Sequence, residues 1–72
     1  MVPIKKQILI TTPSIQLNQF LKLAGVVGSG GEAKVLIQDN QVTVDGVIET
    51  RKKKQLVVGQ VVGVGDQVFE VV

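Results

Sequence analysis

Apolar residues recur along this chain with two different periods, and the change from one to the other falls near residue 40. Ile8-Leu9-Ile10 is a short continuous apolar run stopped by Thr11-Thr12-Pro13, which predicts a strand over about residues 5–11. Leu17, Phe20, Leu21 and Ala24 then recur at i, i+3, i+4 and i+7, the spacing of one buried helical face. Pro13 suits the approach to a helix, because a first-turn proline forfeits no hydrogen bond. Gly25 suits its C-cap, so the first helix is predicted at about 15–24. Ser29-Gly30-Gly31-Glu32 has the form of a capping box, in which the serine oxygen accepts from a first-turn amide and the glutamate reaches back to the cap. Ala33, Leu36 and Ile37 make a second apolar stripe, predicting a helix over about 30–39 that closes near Asp39-Asn40. Val35 points away from that stripe, and the pattern predicts that another element, with the N-terminal strand as the candidate, covers it.

Beyond residue 40 the period is two. Gln41-Val42-Thr43-Val44 alternates, Asp45-Gly46 is a tight-turn dipeptide, and Val47-Ile48 resumes the apolar pattern. Leu56-Val57-Val58-Gly59 leads into Val61 to Val64, and Gly65-Asp66 separates that run from Gln67 to Val72 as a hairpin with a glycine-first turn. The predicted architecture is α+β: two packed helices followed by a small, mostly antiparallel sheet. At 72 residues the chain has room for one domain, residues 1–72, with no internal repeat, linker or low-complexity tract.

Composition narrows the chemistry. A chain this short buries only ~60% of the surface its unfolded form exposes. It has neither cysteine nor histidine. Disulfides and thiolate metal sites are thereby excluded, and so are the commonest general acid-base group and any ordinary activator for a serine nucleophile. A carboxylate pair is conceivable, for example Asp45 with Glu49, but these flank a turn in a small exposed hairpin. Catalysis is therefore not expected. Gly28-x-Gly30-Gly31 opens a helix and could cradle a phosphate, yet it matches no nucleotide-loop or dinucleotide fingerprint and follows a helix where such loops follow a strand. No cofactor or metal is expected. No secretory signal is expected either, since Lys5 and Lys6 precede only three apolar residues, and no segment approaches the roughly 20 apolar residues of a membrane span. A cytoplasmic protein is the default.

The formal charge of +2 says less than its distribution. Residues 1–28 carry +3, residues 29–50 carry −3, residues 51–54 carry +4, and residues 55–72 carry −2. Such segregation predicts a basic side able to steer an anionic partner. Half of all Lys and Arg stand together at Arg51-Lys52-Lys53-Lys54. On a regular strand these would alternate between faces, so a common patch requires a loop or bulge, with Lys54 the expected exception because it borders the next strand. Lys22 lies opposite the apolar face of the first helix and is expected in solvent. Lys34 sits one turn into the second helix, where a cation is mildly unfavourable to the dipole, which hints at an anionic neighbour. At Gly30 and Gly31 unpaired amides and the positive end of a helix dipole converge with no Cβ in the way. Each feature has a plainer explanation: a charge run is commonly solvated surface, and these glycines serve equally well as a sharp turn between helices. There is no Trp or Tyr, and Phe20 and Phe69 have core positions, so base stacking on a single strand is not expected.

The segment from Leu17 to Val62, LNQFLKLAGVVGSGGEAKVLIQDNQVTVDGVIETRKKKQLVVGQVV, resembles the αL-type RNA-binding domain named after small-subunit ribosomal protein S-four. The shared order is two helices, a strand ending in Val-x-Val-Asn-Gly, a charged turn, and Leu-x-x-Gly-Asp-x-Val. The FLKLAG, SGGEAK and ETR segments resemble the small stand-alone members of the YaaA and YbcJ type. The resemblance implies cofactor-free binding of structured RNA, chiefly ribosomal or transfer RNA. By position it implies a contact surface of Lys22, Ser29, Gly30, Gly31, Lys34, Arg51, Lys52 and Lys53. Three positions depart from the family pattern: Asp45 stands for asparagine, Gln60 for aspartate, and Gln19 for a residue that is often cationic.

The expected function is thus a non-catalytic module, monomeric, binding structured RNA through phosphate and shape, with a ribosomal particle as the expected partner. The rival expectation is a protein-interaction module that uses the strand Val68 to Val72 as an exposed sheet edge, although an inner sheet strand is the favoured reading of that segment.

Overall fold

The computed structural model describes residues 5–72. Within them the chain order is β1 (Lys5–Ile8), β2 (Ile15–Gln16), α1 (Leu17–Leu23), α2 (Gly30–Gln38), β3 (Val42–Val44), β4 (Val47–Ile48), β5 (Gln55–Leu56), β6 (Val61–Val64) and β7 (Gln67–Val71). Two helices and a mostly antiparallel sheet are present, as the periodicities predict. The first helix is shorter than its apolar spacing suggests. Ile15 and Gln16 pair antiparallel with Leu56 and Gln55, so the chain leaves an extended conformation only at Leu17, and Pro13 lies in a bend ahead of the helix.

Both helices end in the same device. The Val26 amide donates to the Leu21 carbonyl at 3.0 Å and the Gly25 amide to Lys22 at 3.1 Å. With Gly25 at φ +77°, this is the Schellman closure that a glycine after the last turn permits. At the end of α2 the Gln41 amide donates to Leu36 and the Asn40 amide to Ile37, with Asn40 at φ +60°. Asparagine tolerates that left-handed conformation better than most side chains, which is why the helix stops there. The two tight turns are also as predicted. Asp45 and Gly46 both have positive φ, the requirement of a type I′ hairpin, and Gly65 alone does so in the turn between β6 and β7.

The main sheet has the order β1-β7-β6-β3-β4. β1 runs parallel to β7, and the other neighbours are antiparallel. Val42, Val44, Val62, Phe69 and Val71 point to one face of this sheet. There they join Leu17, Phe20 and Leu21 of α1 and Ala33 and Ile37 of α2 in one buried cluster, so the helices form a layer on a single side.

One expectation is corrected, and the favoured reading of the last strand as an inner strand is borne out. Val35 is 67% exposed, and among the described residues no strand covers it: β1 instead pairs with β7 at the edge of the sheet. The same pairing makes β7 an inner strand, flanked by β1 and β6, so the C-terminal segment offers no unpaired edge. No helix among the described residues is long and apolar enough to cross a membrane.

Candidate nucleic-acid interface

The two helix starts differ in how their backbone amides are satisfied. At α1, Leu17 donates to the Lys54 carbonyl and Asn18 to the Lys52 carbonyl, each at 2.9 Å, while the Gln19 amide reaches the Asn18 side chain at 2.9 Å. That end is sealed. At α2, Ser29 is extended (φ −152°, ψ 164°) and its Oγ accepts from the Glu32 amide at 3.2 Å. The returning half of the capping box is not formed among the described residues; the Glu32 carboxylate leans over Gly28 instead, 3.5 Å from where a Cβ there would stand. The amides of Gly30 and Gly31 have no partner among the described residues. A Cβ built on Gly30 would meet nothing within 4 Å, and one on Gly31 would meet only the Ser29 Oγ at 3.9 Å. This helix start therefore presents two donors and the positive end of a nine-residue helix to solvent without obstruction.

The basic run is neither strand nor bulge. The Lys54 amide donates to the Arg51 carbonyl at 3.2 Å, closing a four-residue turn with Lys52 and Lys53 at its corner. The carbonyls of Lys52 and Lys54 that seal α1 also hold this turn in place, so the helix start and the basic corner brace each other. Lys54 is half-buried and precedes β5, as its position in the run predicts. Lys22 occupies the last turn of α1, and Lys34 the exposed side of α2. All eight sequence-predicted contact residues are exposed. Helix α1 carries the basic turn at its first residues and Lys22 one residue before its end. At 1.5 Å per residue its seven residues measure about 10 Å.

Arg51 differs from its neighbours. Its Nε and Nη2 donate to Glu49 Oε2 and Oε1 at 3.0 and 3.2 Å, and its backbone amide donates to Oε2 at 3.0 Å. These charge-assisted bonds hold the Glu49 carboxyl at about 2, well below the ordinary value, with the Lys54 charge assisting, and they push the Arg51 guanidinium up. Lys22, Lys34, Lys52 and Lys53 make no ion pair among the described residues. Sequence inspection missed this division of labour. A glutamate two residues before an arginine is too common a spacing to announce a two-pronged fork.

Asp45 and Glu49, a conceivable carboxylate pair, turn to different partners. The Asp45 carboxylate accepts from the Val61 amide at 2.9 Å and from Gln60 Nε2 at 3.1 Å. The Val61 amide, and then the Gln60 amide, lower its pKa. Two of the three departures noted above therefore touch one another. At positions 45 and 60 the family pattern's amide and acid stand here as acid and amide, and in this chain the two side chains are hydrogen-bonded to each other.

A family model for the S4 domain matches residues 8–72. The chain is 43% identical over 60 residues to "Putative RNA-binding protein YbcJ" of Escherichia coli (strain K12), covering 83% of this chain and 86% of that protein. It is 44% identical over 64 residues to "Probable ribosome maturation protein RlbA" of Bacillus subtilis (strain 168), covering 88% and 90%. The solution structure of E. coli YbcJ, described as revealing an αL motif involved in RNA binding, superposes with a TM-score of 0.68 at 40% identity over 94% of this chain and 85% of that one. The 30S ribosomal protein S4e of Thermoplasma acidophilum shares the fold, with a TM-score of 0.66 at 23% identity over 86% of this chain and 33% of its own. With its two helices, its sheet and nearly all of its length accounted for in this way, the chain belongs to the S4 domain family.

Proposed function

We propose that this protein is a non-catalytic module that binds structured RNA, ribosomal or transfer RNA, through phosphate and shape. The observation that carries the proposal is the open start of α2, where the amides of Gly30 and Gly31 have no partner among the described residues and no Cβ blocks approach. A phosphate is the ligand such a helix start suits. Lys22 and Lys34, and Lys52 and Lys53 on the braced turn, supply cations that no internal carboxylate balances, and Ser29 orients the helix start. The names of the E. coli and B. subtilis relatives support RNA as the ligand, and the second favours the RNA of a ribosomal particle. The protein acts in this way as a cytoplasmic monomer. The inner position of β7 counts against the competing idea of strand pairing with another chain.

Filter binding of ribosomal RNA across a salt series tests this. Four phosphate contacts at about −0.9 each give a log–log slope of roughly −3.6, a loss of about a hundredfold between 50 and 200 mM salt. Replacing Lys52 and Lys53 by alanine brings the slope to about −1.8 with little change in melting temperature. An unchanged slope removes the corner from the interface. Absence of any retained RNA at low salt refutes the function. Sedimentation at two protein concentrations, without RNA, checks the monomer.

A further inference from the structure

Glu49 and Arg51 form a unit physically distinct from the lysine corner beside them. The Glu49 side chain is only 14% exposed, whereas that of Arg51 is 71% exposed, so the carboxylate is the footing and the guanidinium is the head. The three bonds to Glu49 occupy the Nε–Nη2 edge and the backbone amide of Arg51. A guanidinium carries five N–H groups in one plane on a rigid fork. With one edge held by the carboxylate, the remaining Nη1 and Nη2 hydrogens form a second edge, turned about 120° from the first and away from Glu49. A side chain that ordinarily samples many rotamers is thereby held with two parallel donors turned outward.

Charge narrows the advantage of an anion at those donors and leaves geometry to choose among ligands. A phosphate on the outer edge meets the guanidinium at about 4 Å and the Glu49 carboxylate behind it at about 7 Å; by the inverse-distance law the repulsion then offsets more than half of the attraction. A neutral ligand with two parallel acceptors meets no such opposition and satisfies the fork equally well. In RNA the fitting group is the O6/N7 edge of guanine. The A-form major groove is too deep and narrow for side chains, so that edge is within reach only in loops, bulges and ends.

Building on the RNA-binding function above, we propose that Glu49 positions Arg51 to read one unpaired guanine, while the lysines supply the contacts to phosphate. Arg51 is then the base-contacting residue, and Glu49 acts through it.

The test passes a pool of RNA hairpins with a constant stem and a randomised loop over the immobilised protein at low salt, and sequences the retained loops. The parent protein enriches guanine at one loop position by about tenfold, the discrimination of a single bidentate contact. R51K keeps the charge but not the fork and loses the enrichment. E49Q also loses it while retaining more RNA in total, because a cation is no longer balanced. The Lys52→Ala/Lys53→Ala variant retains less RNA but keeps the guanine preference. Thermal melts of each variant check folding. Retained hairpins without base enrichment, or enrichment that survives R51K, overturn the guanine assignment and leave RNA binding standing. So does an Arg51→Ala variant that weakens every loop alike and flattens the salt slope by about 0.9, since Arg51 then meets phosphate. If the parent protein retains no hairpin at all, RNA binding itself fails.

Discussion

Replacing both Gly30 and Gly31 by alanine separates folding from binding, because the two respond in opposite directions. Neither glycine has a positive φ, and the added methyl groups meet at most the Ser29 Oγ at 3.9 Å. The folded helix therefore accepts alanine without strain. Each substitution reduces the freedom of the unfolded chain and contributes about 0.4–1 kcal/mol of stability. For a domain of this size about 1 kcal/mol corresponds to roughly 4–8 °C, so the double variant melts about 5–10 °C above the parent. Binding moves the other way. On the proposed reading the added methyl groups crowd a phosphate on the two unpartnered amides, and losing a hydrogen bond to a charged group costs about 1.5–3 kcal/mol, tenfold to hundredfold in affinity. Circular-dichroism melts and filter binding of ribosomal RNA at one low salt concentration measure both. A higher melting temperature with unchanged affinity removes the helix start from the interface. A lower melting temperature shows that the glycines serve the turn between the helices instead, and the reasoning from open space is refuted.

Other expectations concern the frame around the site. Gly63 pairs with Thr43 across β3 and β6, and a Cβ on it would stand 2.6 Å from Thr43 Oγ1. Gly63→Ala therefore destabilises by about 1–3 kcal/mol in urea unfolding, and adding Thr43→Ala recovers most of the loss; no recovery means the clash is not the cause. Glu49 has a folded pKa near 2, below its ordinary 4.5, so its contribution to stability is complete above pH 4.5 and disappears as pH falls through 2. A carboxyl-carbon NMR titration shows this directly, and in Arg51→Ala the transition returns toward the ordinary range. Asp45→Asn sets an amide donor against Gln60 Nε2 and lowers the melting temperature; a second change, Gln60→Glu, restores the acid-amide pair and the temperature with it. Glu32→Gln, by removing a carboxylate from the start of α2, tightens RNA binding in the same filter assay, and weaker binding would show that the acid supports the site.

Local structure was legible in the residues themselves. The i, i+3, i+4 stripes place both helices, Gly25 and Asn40 end them, and Asp45-Gly46 and Gly65-Asp66 turn the hairpins, because each depends on the conformational limits of residues close together in the chain. The exposed cations and the glycine opening of α2 were legible for the same reason. The tertiary structure decided whatever depends on a partner distant along the chain. Gln55 and Leu56 draw Ile15 and Gln16 out of the first helix, and β1 takes the edge beside β7 and leaves Val35 bare. The contrast between a sealed helix start and an open one exists only because the carbonyls of Lys52 and Lys54 fold back onto Leu17 and Asn18, more than thirty residues away in the chain. Periodicity records which side of an element is buried, not which backbone groups find one another, and here that second choice determines where an anion can approach.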